Sequence, residues 1–327
     1  MIVFKKLLVF VLLSSSATSF IASAADSQGK MNLPLYVVPE GKLLLDSDFQ
    51  FNKTDRDLLD SSGQRTREQS STSMSLTNDL RYGLGGGIDF GVNITYWLQD
   101  ELESTPINTS TDITTVNSTG LEELAIKARY RLPFEFMQGL ITNVDVNIAP
   151  SFSTAESATT TEDANHYNGG HQVDVAISTG MVSQDFSWRA TFAVEWDGAR
   201  EEEPSTSSTV DEKTESAMDM SLEVEAITGL SDTFYIGAVL AYNMIGAREY
   251  FDPTSDSSPT NENGSFSIID LDIKFDFFLN QDLALNFGVG YQMIGDQDFS
   301  TISSGTVNNT YDGQTGIDAS LGVQFLF

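Results

Sequence analysis

The sequence predicts an all-β fold, a transmembrane antiparallel β-barrel of about twelve strands with short periplasmic turns and long outer loops. Three observations carry this. Segments of roughly ten residues alternate apolar and polar side chains, as a wall with one lipid face and one wet face requires. The connections between these segments alternate short and long, for which a soluble two-sheet sandwich gives no reason. The stretch Thr315 to Phe327 holds the alternation to an aromatic end: Ile317, Ala319, Leu321, Val323, Phe325 and Phe327 are apolar.

Residues 1–24 read as a signal peptide. Lys5 and Lys6 precede an apolar run, Leu7 to Leu13, and Ala22-Ser23-Ala24 forms a small-residue cleavage signal. The run is far shorter than the ~20 residues of a spanning helix. Residues 25–41, with Pro34 and Pro39, have no period. They read as a periplasmic lead-in, either disordered or folded into the lumen as a plug. The barrel is expected over 42–327.

The strands follow in order. The first, 42–52, places Leu43, Leu45, Phe49 and Phe51 on one face; the second, 72–82, places Met74, Leu76, Leu80 and Tyr82. The third, 88–97, opposes Ile88, Phe90, Val92, Ile94 and Tyr96 to Asp89, Gly91, Asn93 and Thr95. The fourth, 121–132, sets Leu124, Ile126, Ala128 and Tyr130 against Glu123, Lys127, Arg129 and Arg131. The fifth (141–152), sixth (171–182) and seventh (187–197) carry Val144, Val146 and Ile148, then Val173, Val175 and Ile177, then Trp188, Phe192 and Trp196. The eighth, 217–228, sets Met218, Met220, Leu222 and Val224 against Asp219, Ser221, Glu223 and Glu225. The ninth (233–244), tenth (266–278) and eleventh (283–293) repeat the pattern, with Lys274 and three aspartates on the wet face of the tenth. Strand-end aromatics fall in two bands, such as Tyr82, Phe90 and Tyr130 below and Tyr96, Trp196 and Phe266 above, matching the two water–hydrocarbon boundaries.

Charge narrows the function. Asp and Glu total 47 against 17 Lys and Arg, a net −30, which has the wrong sign for nucleic acid. Without cysteine there are neither disulfides nor thiolate metal sites, and no cofactor or metal is expected. Much of the acid lies in the outer connections, where solvation and calcium binding both remain open.

The inward faces supply the candidate site residues: Arg81, Asp89, Lys127, Arg129, Arg131, Asp145, Arg189, Glu223, Glu225 and Lys274. Strand adjacency puts Asp89 between Arg81 and Arg131, Asp145 beside Arg129, and Glu225 beside Arg189. Two roles stay open. One is a salt-bridge lattice that fills the barrel. The other is a polar pathway with an acidic mouth and a basic constriction, where wall charges filter ions or small solutes. Twelve strands lie between a filled eight-strand interior and an open sixteen-strand porin, so a narrow conduit is expected. Catalysis is not expected: His166 and His171 sit in no strand pattern with a serine or aspartate that would suit a lipid-acting or proteolytic site. A surface scaffold remains the further alternative. The expected partners are membrane lipid and lipopolysaccharide, small solutes, and the barrel-assembly machinery through Phe327, all at a Gram-negative outer membrane.

Two stretches resemble a known family. Arg81-Tyr82-Gly83-Leu84 through Ile88-Asp89-Phe90-Gly91-Val92, and Gly120-Leu121 through Ala125-Ile126-Lys127-Ala128-Arg129-Tyr130-Arg131-Leu132, are similar to a hairpin and a strand of the outer-membrane barrels grouped as the MetA-pathway of phenol degradation family. Glu122-Glu123 stand where that family has Gly-Asp. The resemblance implies an outer-membrane transporter, for some members one taking up hydrophobic or aromatic compounds. It names no catalytic residue.

Overall fold

The computed structural model describes residues 31, 33, 35–107, 114–134, 139–152, 155–156, 164–165, 169–183, 186–203, 212–251 and 259–327. Twelve long strands form a closed antiparallel barrel: β1 Leu43–Asp60, β2 Arg65–Gly85, β3 Ile88–Pro106, β4 Thr114–Arg131, β5 Ile141–Ala149, β6 Gln172–Val182, β7 Phe186–Asp197, β8 Ala217–Ser231, β9 Phe234–Ile245, β10 Phe266–Asn280, β11 Leu283–Ile294 and β12 Thr306–Leu326. Each pairs with the next. β12 then returns to β1, with Leu44 opposite Leu326 and Asp60 opposite Asn309. Closure leaves none of the twelve strands without a neighbour on either side.

The alternation in sequence becomes the alternation of faces. On β3, Phe90 and Ile94 are 45% and 42% exposed, whereas Asp89 and Asn93 are 1% and 6% exposed. Outward aromatics at both strand ends, such as Tyr82, Phe90 and Phe277 at one and Tyr96, Trp196, Tyr242 and Tyr291 at the other, remain exposed. Phe266 departs from its expected place. It shares the face of Asp270, which accepts a hydrogen bond from Asn243 and lies opposite Gln292 inside the barrel, so it turns inward.

Several strands are much longer than the sequence pattern suggests. β1, β2 and β12 run 18, 21 and 21 residues, where a spanning strand needs ~9–11. The excess lies at the long-loop end, and the expected loop 53–71 is instead two continuing strands joined at Ser61–Gln64. Above the membrane both faces are wet. The ladder therefore continues while its apolar signature stops. Asp60 fixes the turn: its Oδ1 accepts from the Ser62 amide at 2.9 Å, the Ser62 hydroxyl at 2.6 Å and the Gln64 amide at 2.9 Å. On the other side, short ladders at Arg200–Glu203, Arg248–Phe251, Pro259–Asn263 and Gln297–Thr301 continue the wall after breaks at Gly198, Gly246, Gly264 and Gly295.

The segment before β1 enters the short-turn end. Met31, Leu33, Tyr36 and Val38 are buried with Leu44, Ile227, Tyr235, Phe278 and Ala284 in the main apolar cluster. Gly83 permits this approach, because a Cβ there would strike the carbonyl oxygens of Val38 and Pro39. Gly83 N instead donates to Lys42 O, and its own carbonyl accepts from Gly41 N, each at 3.0 Å. Residues 1–30, including the signal-peptide segment, lie outside the described residues.

Candidate functional site: a two-sided lumen

At the short-turn end, polar contacts hold the lead-in backbone against the wall. Val38 N donates to Asp89 Oδ2 at 3.0 Å, and Arg129 Nη1 donates to Tyr36 O at 2.8 Å. Leu35 O accepts from Arg131 Nη2 at 2.5 Å and from Asn143 Nδ2 at 3.2 Å. Leu35 holds a left-handed φ of 67°, a conformation costing about 1 kcal/mol or more for a leucine. Its doubly bonded carbonyl over-determines that geometry. The Tyr36 hydroxyl is pushed up to about 12, mainly by burial, with Arg81 opposing and Asp89 and Asp282 reinforcing the shift.

Above this floor the inward side chains divide into two cavities. The first, of about 370 Å³, is bounded by strands β2 and β4–β8. It carries Arg81, Lys127, Arg129 and Arg189 together with Asp79, Asp145, Asp174 and Glu223, so its bases and acids balance. The pairs are close. Arg129 Nε lies 2.5 Å from Asp145 Oδ1, and Arg189 Nη2 lies 2.5 Å from Glu223 and 2.9 Å from Glu225. Lys127 Nζ and Arg81 Nε both lie 3.6 Å from Asp79.

The second cavity, of about 410 Å³, lies against β1 and β8–β12. It carries Asp48, Glu223, Asp270, Asp272 and Asp318, with Lys274 as its one cation, and the amides Gln50, Asn52, Asn243 and Gln292. Lys274 Nζ is committed to Glu225 at 3.3 Å. Asp272 and Asp318 meet across Gly290, where any Cβ would collide with both carboxylates. That glycine hollows the wall so that the two acids face each other.

The ten candidate residues fall in three places. Arg81, Lys127, Arg129, Asp145, Arg189 and Glu223 line the first cavity, and Lys274 lines the second, where Glu223 also borders. Asp89, Arg131 and Glu225 sit lower and are largely covered. The expected position of Asp89 between Arg81 and Arg131 changes: Arg81 Nη1 is 3.9 Å from Asp89, but Arg131 turns to the Leu35 carbonyl. Its register partner across the ladder is Arg129. Sequence reasoning did not single out the acid wall. Its signal was present as inward acids two residues apart, Asp46 with Asp48 and Asp270 with Asp272. Only the strand register brings Asp318 to join them.

No family model matches the chain, and no curated protein matches it. Among solved structures, the fold is similar to the COG4313 outer membrane channel from Pseudomonas putida F1, at 11% identity and a TM-score of 0.56, over 89% of this chain and 97% of that one. It is also similar to the transport unit of the autotransporter AIDA-I from Escherichia coli, at 12% identity and a TM-score of 0.52, over 96% of each chain. The chain folds as an outer-membrane β-barrel.

At the long-loop end of this barrel, an acidic rim is tied by one arginine. Arg248 Nη2 reaches Asp197 at 2.5 Å and Asp219 at 3.0 Å. His171 lies nearby, but its Nδ1 accepts from the backbone amide of Ser151 at 2.8 Å, while Ser151 Oγ donates to Gly169 O. That is a loop brace, with hydroxyl and imidazole turned to separate backbone partners rather than to each other. His166 lies outside the described residues. Among the described residues, no group of three or more His, Asp or Glu is arranged to hold a metal ion.

Proposed function

We propose that this barrel is an exported outer-membrane channel for ions and small polar solutes, with a preference for cations. The observation that carries the reading is the second cavity, where five carboxylates face one lysine that is itself ion-paired. Unneutralised carboxylates in a narrow low-dielectric wall raise the local cation concentration and oppose anions. The arginines of the opposite wall are spent on acids and on the lead-in backbone, so they hold shape more than they select.

Residues 35–41 narrow the periplasmic end in this reading, and Arg129 and Arg131 are the side chains that keep them there. Residues 1–24 direct export, Phe327 addresses the barrel-assembly machinery, and lipid and lipopolysaccharide surround the outer face. Charged and amide linings suit hydrated cargo better than the aromatic compounds that the family resemblance suggests.

The test is the planar-bilayer conductance of the refolded chain under a salt gradient. Steady conductance with a cation-selective reversal potential supports the proposal, and the selectivity should weaken at high salt, where the Debye length falls to ~3 Å. A correctly folded barrel that stays silent, both intact and with residues 25–38 deleted, would sink the channel reading.

A further inference from the structure

The lipid-facing wall of β1 and β2 carries a polar pair where hydrocarbon is expected. Ser47 lies between Leu45 and Phe49, and Asn78 lies between Leu76 and Leu80. The two residues are register partners, and Ser47 Oγ donates to Asn78 Oδ1 at 2.6 Å. Both point away from the lumen. Their chain neighbours Asp46 and Asp79 are the inward ones: Asp46 accepts from Gln324, and Asp79 lines the first cavity. Tyr82 lies below this pair and Phe51 above it, so the pair sits inside the apolar band. By contrast, the opposite wall presents Met220, Leu222 and Val224 from β8, all exposed and all apolar.

The Asn78 amide nitrogen has two hydrogens to donate, and among the described residues it has no acceptor. Acyl chains offer none, and an unspent donor in hydrocarbon is costly. The group that satisfies it must bring an acceptor to that one depth. A second copy does so by symmetry. A two-fold axis along the membrane normal sets Asn78 against Asn78 of the second copy, and a carboxamide is both donor and acceptor. Higher on the same face of β1, Lys53 and Asp55 are exposed, and neither takes part in an ion pair among the described residues. Two residues apart and opposite in sign, they are self-complementary across the same axis. Lipopolysaccharide phosphates fit less well, since they would reach Lys53 but not the depth of Asn78, and Asp55 would repel them.

We propose that two copies of this barrel associate through the β1–β2 face, with paired Asn78 side chains at the centre of the contact and Lys53–Asp55 pairs at its outer rim. This goes beyond the channel reading and does not rest on it.

The chain has no cysteine, so one introduced thiol reports one position. Leu80→Cys, on the same face with Asn78 kept, treated in proteoliposomes with a short bifunctional thiol cross-linker, should give a covalent dimer. Leu222→Cys on the opposite wall should stay monomeric under the same treatment. Equal yields at the two positions, or no dimer at Leu80→Cys, would overturn the proposal. Asn78→Leu completes the apolar face and should fold with unchanged heat-modifiable mobility. Single-molecule photobleaching should then show single steps for Asn78→Leu and two-step traces for the parent barrel. Two-step traces that persist in Asn78→Leu also overturn it. Lys53→Glu, which sets acid against acid across the axis, should lower the two-step fraction without abolishing it.

Discussion

The two sides of the lumen carry similar numbers of charged residues and use them differently. On the side of β2 and β4–β8, four bases stand among four acids; Arg129–Asp145 and Arg189–Glu223 are ion pairs at hydrogen-bonding distance, and Arg81 and Lys127 lie 3.6 Å from Asp79. On the side of β1 and β9–β12, aspartates face one another across glycine and amide side chains. Paired charge fixes shape, because each partner restrains the other and neither projects much field. Unpaired charge of one sign projects field and contributes little to cohesion. Inward charge in a barrel wall is therefore two different things, and register decides which.

The sharpest way to separate the sides is stability. Arg129→Ala strands the Asp145 carboxylate and removes the donor to the Tyr36 carbonyl. Breaking one partner of a mostly covered pair costs about 3 kcal/mol. Urea unfolding in detergent micelles should show that loss, with earlier proteolysis of the lead-in. Asp272→Asn, on the other side, breaks no ion pair and should stay within about 0.5 kcal/mol of the parent. Equal losses from both variants would erase the distinction.

Selectivity should show the reverse ranking. Asp272→Asn combined with Asp318→Asn should cut the cation-to-anion permeability ratio several-fold and move the reversal potential toward zero. Arg129→Ala should leave its sign unchanged. A smaller effect follows from Lys274→Met, which removes the one cation of the acid wall while Glu225 keeps Arg189 at 2.9 Å. The ratio should rise modestly, and a fall would mean that Lys274 does not oppose the acids. Each is read from reversal potentials under one fixed salt gradient.

Much of this architecture was legible in the sequence, for a physical reason. Lipid permits one kind of side chain on one face, so Ile88 through Tyr96 announce both a strand and its orientation. The upper half of β1 and β2 was not legible, because water on both faces removes the contrast between residues such as Lys53 and Thr54. The partners Asp145 and Glu225 followed from adjacency of neighbouring strands. Arg131 did not, because its partner is the carbonyl of Leu35, which lies far away in sequence and in no strand. Backbone carbonyls carry no sequence signature, so an inward arginine always looks available until the fold shows what it holds. Asp318 stayed hidden for a related reason: it meets Asp272 only because β11 places Gly290 between them.

The narrowest expected effect, confined to high pH, concerns the lead-in that both sides stand over. Tyr36 is 7% exposed, and burial pushes its hydroxyl up to about 12 from 10.0. A raised acid holds its proton more tightly in the docked state than in the released one. Docking is thus undiminished below about pH 10 and weakens as pH rises from about 10 toward 12, where the released chain ionises first. Two units correspond to at most about 2–3 kcal/mol. Tyr36→Phe has no proton to lose and should lack this step. The difference in unfolding free energy between parent and Tyr36→Phe, followed over that interval, isolates the tyrosine from lysine titration, which is common to both chains. A difference that stays flat would mean that the Tyr36 hydroxyl meets water. The lead-in would then be held by Asp89, Arg129, Arg131 and Asn143 through its backbone alone, so that the paired wall and not the apolar cluster keeps it in place.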